Sequence, residues 1–256
     1  MLLAVDVGNT QTHFGTYRDG ELVEHWRFAT VRESTADELA TVLVGLLHLR
    51  GLTLDDVGAA IVSSVVPQLV HEYQGVGERY LGGNLIVVGP GLRSGIPIRT
   101  ERPHEVGADR LVNAVAGFTK YGGPCIVVDL GTTINFDIVS ANKEFVGGVI
   151  CPGIGMSISG LFAKTARLPM VDFREPEKLI GSNTVGSITS GLYYGFIGMI
   201  DGIVERVTAE LGPKTKAVAT GGQGHLIAKA SRFVKIYDED LTLHGLRLIW
   251  QRCANP

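Results

Sequence analysis

Short apolar runs alternating with turn residues open the chain. Leu2-Leu-Ala-Val-Asp6 predicts a buried strand, and residues 12–18 and 21–29 predict two more, separated by Gly8 and by an Asp19-Gly20 pair that suits a tight hairpin. Ser34-Thr-Ala-Asp-Glu38 then supplies a cap and an acidic first turn for a helix running to about Arg50. Ala59-Ala-Ile-Val-Ser-Ser-Val-Val66 predicts a buried strand stopped by Pro67, a helix follows to about Tyr80, and Leu85-Ile-Val-Val88 is a further strand. The first half thus reads β-β-β-α-β-α-β.

From Ile126 the same order restarts, with strands expected at 126–130, 134–139 and 144–150, a turn between Asn142 and Glu144, then helical segments and a strand at 216–220. The two openings align 123 residues apart (129 − 6), so that Asp6 falls on Asp129, Gly8 on Gly131 and Thr10 on Thr133. The register persists across two turns, because Gly20-Glu-Leu-Val23 falls on Lys143-Glu-Phe-Val146 at the same offset. A solenoid repeats every ~20–50 residues, so this period predicts two similar domains facing each other. The boundary is expected between about 113 and 124, giving domains of residues 1–115 and 116–256. A helix is expected to start near Pro103, with Glu105 in its first turn.

A long helix is predicted over 185–210, where Val185, Ile188, Leu192, Phe196, Met199, Ile203 and Val207 recur at steps of three and four. Gly191, Gly195, Gly198 and Gly202 lie along one strip of it. Each glycine costs a helix roughly 1 kcal/mol against alanine, so another backbone is expected close by, from this chain or from a second copy.

Composition narrows the function classes. The 256 residues carry a formal net charge of −3 with both signs spread along the chain, which points away from nucleic-acid and anionic-membrane surfaces. Cys125, Cys151 and Cys253 form neither a CxxC nor a His-supported cluster, so neither structural zinc nor a disulfide framework is expected. The longest apolar run, around Leu192 to Ile200, is too short to span a bilayer, and the N-terminus runs directly into a strand. A soluble cytoplasmic protein is the expectation.

Chemistry concentrates at the two openings. A strand ending in Asp-x-Gly-x-Thr and turning at once into a hairpin lets a ligand approach the main chain at glycine while amides and hydroxyls face it, an arrangement suited to phosphate. The carboxylate beside it can hold a metal ion or ordered water next to phosphate oxygens. Two such hairpins facing each other suit the opposite ends of a nucleotide polyphosphate. Neither has the G-x-G-x-x-G of a dinucleotide fold. Thr220-Gly-Gly222 ends another strand and allows a flat base or ribose against main chain. In Glu105-Val-Gly-Ala-Asp-Arg110 with Asn113, a helical reading puts Glu105, Asp109 and Asn113 on one face. A carboxylate there can take a proton from a substrate hydroxyl and an arginine can clamp a carboxylate; the plainer alternative is a solvated helix with an Arg–Glu pair.

Taken together, Asp6-Val-Gly-Asn-Thr10, Glu105-Val-Gly-Ala-Asp-Arg110, Asp129-Leu-Gly-Thr132, Gly147-Gly-Val-Ile-Cys-Pro-Gly153, Gly181-Ser-Asn-Thr184 and Thr220-Gly-Gly222 resemble the type III pantothenate kinases of bacteria, members of the actin, sugar-kinase and Hsp70 superfamily. The resemblance implies an α/β fold of two ribonuclease H-like (actin-like ATPase) domains of duplicated topology, with mixed sheets flanked by helices. It implies ATP-dependent phosphorylation of pantothenate to 4'-phosphopantothenate, the first step of coenzyme A biosynthesis. Asp6, Val7, Gly8, Asn9, Thr10, Gln11, Thr12 and His13 would cradle ATP with Thr132, Gly221 and Gly222. Asp129 would coordinate a monovalent cation, K⁺ or NH₄⁺, and Mg²⁺ would arrive with ATP. Asp109 would be the proton acceptor, and Thr100, Gly107, Ala108, Arg110 and Thr184 would join it in holding pantothenate, with Arg110 facing the substrate carboxylate. The resemblance also implies a homodimer. Three positions depart from the family pattern: Thr100 stands where tyrosine is usual, and Thr133 and Asn135 replace the alanine and later threonine of Gly-Thr-Ala-x-Thr. They motivate the alternative of a catalytically impaired nucleotide-binding regulator on the same fold.

Overall fold

The computed structural model describes residues 1–163 and 169–254. Its first sheet is built from β1 (Leu2–Val7), β2 (Gln11–Arg18) and β3 (Glu21–Ala29), then, after α1 (Ala36–His48), from β4 (Ala59–Ser64) and, after α2 (Pro67–Tyr80), from β5 (Leu85–Val87). The strand order is β3-β2-β1-β4-β5: β1 pairs antiparallel with β2 and parallel with β4. Alternation along β1 sends Leu3, Val5 and Val7 into a core with Leu39, Leu43, Leu47, Leu69 and Tyr73 of α1 and α2. α1 begins as its sequence predicts, since the Thr35 hydroxyl accepts from the Glu38 amide while Glu38 accepts from the Thr35 amide at 2.8 Å.

α3 (Ala108–Tyr121) leads into β6 (Cys125–Leu130), β7 (Thr133–Val139) and β8 (Phe145–Pro152), followed by α4 (Ile154–Ala163), α5 (Thr184–Leu211), β9 (Lys216–Thr220), α6 (Gly224–Ala230), β10 (Ile236–Tyr237) and α7 (Leu241–Ala254). The second sheet runs β10-β9-β6-β7-β8, the first order read from the other edge, with β6 antiparallel to β7 and parallel to β9. Ile126, Val128 and Leu130 of β6 pack with Ile154 of α4, Tyr193, Ile197 and Ile200 of α5 and Ile227 of α6. Both sheets carry the same mixed strand order, as the repeat predicts, and the topology is the ribonuclease H-like one that the resemblance implies. Even turn conformations repeat: Gly20 and Lys143, 123 positions apart (143 − 20), have φ of 89° and 62°.

The chain divides into two compact units, residues 1–96 with 101–116 and 241–256, and residues 97–100 with 117–240. α7 goes with the first unit because it packs on β1, β2 and β4. There Gly245 is needed, since a Cβ at that position would lie 2.3 Å from the Val112 carbonyl oxygen. Residues 97–100 go with the second, where Ile98 bridges to Phe145 and the Arg99 guanidinium donates to Glu144 at 2.8 Å.

One expectation needs correction, and another loses one of its two alternatives. Pro103–Glu105 is a single 3₁₀ turn, and extended Val106 breaks it from α3, which starts at Ala108. Glu105 and Asp109 therefore do not share a helical face. The glycine strip of α5 meets no other part of the described chain: a Cβ on Gly191, Gly195 or Gly198 would find no atom within 4 Å, and one on Gly202 would meet only the Arg206 side chain.

Candidate functional site

At the head of the first unit β1 delivers Asp6 into a turn closed by a Gly8 amide donating to the Gln11 carbonyl at 3.0 Å. A Cβ on Gly8 would come within 2.9 Å of that same oxygen, so glycine allows the turn to be this tight. Parallel pairing sets Asp6 opposite Ser63, whose hydroxyl donates to the Asp6 carboxylate. Asn9, Thr10 and Gln11 are exposed at the tip, and Asn9 Oδ1 accepts from Arg32 at 3.3 Å. Thr12 is buried, its hydroxyl 2.9 Å from that of Thr30. His13 lies 3.3 Å from His25. Burial, then the charges of Arg27 and His25, pull its pKa down to about 3, so the ring is neutral at pH 7.

The second cluster of this unit surrounds the start of α3. Asp109 stands in the first helical turn, where its Oδ1 accepts from the Arg110 amide at 2.8 Å. A Cβ on Gly107 would sit 2.5 Å from this Oδ1, so the Gly-Ala-Asp-Arg segment reserves for the carboxylate a space that any side chain would fill. Burial raises the Asp109 pKa, opposed by the amide and positive charge of Arg110. The result is a better proton acceptor than an ordinary carboxylate. Asn113 is fully buried and its Oδ1 accepts from Thr242 at 2.7 Å, tying α3 to α7.

The second unit repeats the turn with variations. The Gly131 amide donates to the Thr133 carbonyl at 3.0 Å, as Gly8 does to Gln11. Asp129 pairs across to Asn135 and Thr220. Gly221, at φ 84°, passes so near the end of β6 that a Cβ would lie 2.6 Å from the Leu130 carbonyl and 2.9 Å from Asp129 Oδ1. The Gly-Gly pair after β9 and the motif carboxylate of β6 therefore meet. Gly222 is exposed, with open space at its α-carbon. Exposed Thr132 accepts from the Gly153 amide at 3.1 Å. The two departures in this motif belong together, because the Thr133 hydroxyl donates to Asn135 Oδ1 at 3.1 Å.

Thr100, also of the second unit, has a buried Oγ1 without a hydrogen-bond partner among the described residues. Thr184 is the exposed first residue of α5; Asn183 caps that helix by accepting from the Gly186 amide at 2.8 Å. A cavity of about 250 Å³ lies here against Gly181, Asn183, Val185 and Arg174. Sequence reading missed Ser63 as partner of Asp6 and Arg32 as partner of Asn9. Only the Ser63-Ser64 pair ending an otherwise apolar strand hinted at the first.

The sequence profile described as type III pantothenate kinase matches residues 2–206. A type III pantothenate kinase of Solibacter usitatus is 56% identical over 252 residues, covering 98% of this chain and 97% of the relative. One from Koribacter versatilis is 47% identical over 262 residues, covering 98% and 96%. Among solved structures, a Baf family protein of Campylobacter jejuni superposes with a TM-score of 0.62 at 20% identity, covering 99% of this chain and 100% of the other. The activator of 2-hydroxyisocaproyl-CoA dehydratase from Clostridium difficile, solved with ADPNP, gives a TM-score of 0.55 at 11% identity, covering 100% and 97%. Both share the fold.

Proposed function

The chain belongs to the type III pantothenate kinase family, enzymes that phosphorylate pantothenate with ATP at the first step of coenzyme A synthesis, and from this premise we propose how its residues divide the work. Asp109 accepts the proton of the pantothenate hydroxyl as the phosphoryl group is transferred. The observation that carries this assignment is the Asp109 carboxyl itself, raised by burial and given its space by Gly107. Gly107, Ala108, Arg110, Thr100 and Thr184 hold pantothenate. Arg110 supplies a planar fork for its carboxylate, and the partnerless Thr100 hydroxyl is a group that a polar substrate can satisfy.

Asp6 to His13 cradle ATP together with Thr132, Gly221 and Gly222, and the tight turns at Gly8 and Gly131 fit main-chain contact with phosphate. A neutral His13 contributes no positive charge to the phosphates. Asp129 suits a monovalent cation, being an oxygen donor with main chain packed against it at Gly221; Mg²⁺ enters with the nucleotide. When bound, these cations neutralise charge on the phosphoryl oxygens, so the protein's part is chiefly positioning. The exposed glycine strip of α5 suits a second copy of the chain in a homodimer, and a cytoplasmic location fits the metabolic role.

The test is an acceptor assay with ATP, Mg²⁺ and pantothenate, with and without K⁺, read by ³¹P NMR for 4'-phosphopantothenate. Product should form with K⁺ and fall at least about tenfold without it, the response being lost in Asp129→Asn. Formation at full rate without any monovalent cation, or an unchanged K⁺ response in Asp129→Asn, would remove Asp129 from that role. Tight ATP binding with no acceptor phosphorylated would favour the regulator.

A further inference from the structure

At the opposite end of β1 from Asp6 the first unit has a cavity of about 540 Å³. Leu2 borders it and Asp6 lies four residues further along the strand (6 − 2), so it is roughly 13 Å from the phosphate turn at 3.3 Å per residue. The β2–β3 hairpin contributes Tyr17, Arg18 and Asp19; Asn84 comes from the approach to β5; and Arg247 and Trp250 come from α7.

Arg247 is the group that packing does not account for. Its guanidinium lies 5.7 Å from the centre of the Tyr17 ring, and Nη2 is 3.4 Å from His244 Nε2. Its Nε is buried and donates to nothing among the described residues. A buried donor left unmade costs on the order of 1–3 kcal/mol, which stacking on a ring face does not return to the N–H. Arg247 has no carboxylate partner among the described residues, and Arg18 has only a weak contact from Nη2 to Met1 Sδ at 3.5 Å. Three carboxylates lie near without forming an ion pair to either guanidinium among the described residues: Asp19 borders the cavity at the exposed hairpin tip, Glu21 stands across the hairpin from Arg18, and Asp56, close enough to sense Arg18, is bonded to the amide and hydroxyl of Thr53 at 2.9 Å each.

Two guanidinium groups beside an indole, in a space of small-ligand size, select for negative charge on a flat apolar body. We infer that this cavity binds a small planar organic anion of the aryl or heteroaryl phosphate class, its phosphate on Arg247 and Arg18 and its ring beside Trp250. The site is independent of the proposed kinase centre.

The test titrates the full ¹⁵N-labelled chain with phenyl phosphate, and separately with benzyl alcohol, following the Trp250 indole N–H and the amides of Leu2 and Ala59. Phenyl phosphate should shift these resonances saturably with a dissociation constant of roughly millimolar or below, while benzyl alcohol leaves them in place. Arg247→Gln should weaken phenyl phosphate at least about tenfold without changing pantothenate phosphorylation. Should that variant fail to fold, Arg18→Gln and the comparison of the two probes on the wild type decide. No saturable shift, shifts confined to the Asp6–Thr10 turn, equal response to both probes, or undiminished binding in a folded arginine variant would overturn the inference.

Discussion

At Asp109 burial and a neighbouring arginine oppose each other, and burial wins, leaving the carboxyl above its usual range. The sign of two pH effects follows. A base must be unprotonated, so kcat/KM should fall as pH drops through the raised pKa, measurable in a pH–rate profile. Stability moves the other way: the folded state binds this proton more readily than the unfolded chain, so the cost of the buried charge is present at neutral pH and relieved as pH falls through the folded pKa. Asp109→Asn should therefore keep or raise the melting temperature at pH 7. Gly107→Ala would push a methyl group towards Asp109 Oδ1, where an ideal Cβ stands 2.5 Å away, and should lower turnover by about 10²-fold with the fold retained. Residue types alone offered, in the Gly-Ala-Asp-Arg segment, a proton acceptor and a carboxylate clamp beside the plainer reading of a solvated helix, and its assignment to substrate came from the family resemblance. The use of Ser63 by Asp6 was not legible, because it depends on strand register between residues 57 positions apart (63 − 6).

Among the elements, strands and their turns followed the sequence closely, since two-residue alternation and Asp-Gly punctuation act locally. The start of α3 did not. Pro103 and Glu105 have the chemistry of a first helical turn, and they form one, but a 3₁₀ turn that ends at extended Val106. The repeat adds a prediction at Lys143, which holds at φ 62° the place that Gly20 takes at φ 89°. A side chain in the left-handed region costs about 1–2 kcal/mol, so Lys143→Gly should raise unfolding stability by up to about 1 kcal/mol once its greater unfolded-state entropy is counted. Chemical denaturation checks it. On α5, Gly195→Ala meets no atom of its own described chain and should stabilise an isolated chain by roughly 1 kcal/mol. The same substitution should weaken self-association at least about tenfold if a second copy packs there, read by sedimentation equilibrium. Stabilisation with unchanged association would place any dimer contact elsewhere.

For the whole molecule, duplication was visible because the two openings keep one offset, and both sheets carry the same strand order. The return of α7 to the first unit was hidden, since nothing in an amphipathic terminal helix states which of two similar sheets it covers. Catalysis as proposed requires one carboxyl group, that of Asp109, to receive one proton while phosphate moves to pantothenate. Rapid-quench single-turnover transfer with saturating ATP, Mg²⁺, K⁺ and pantothenate measures that step without product release. Asp109→Asn should be slower than wild type by about 10²–10⁴-fold with nucleotide binding unchanged. Transfer at the wild-type rate by the folded Asn variant would contradict the account.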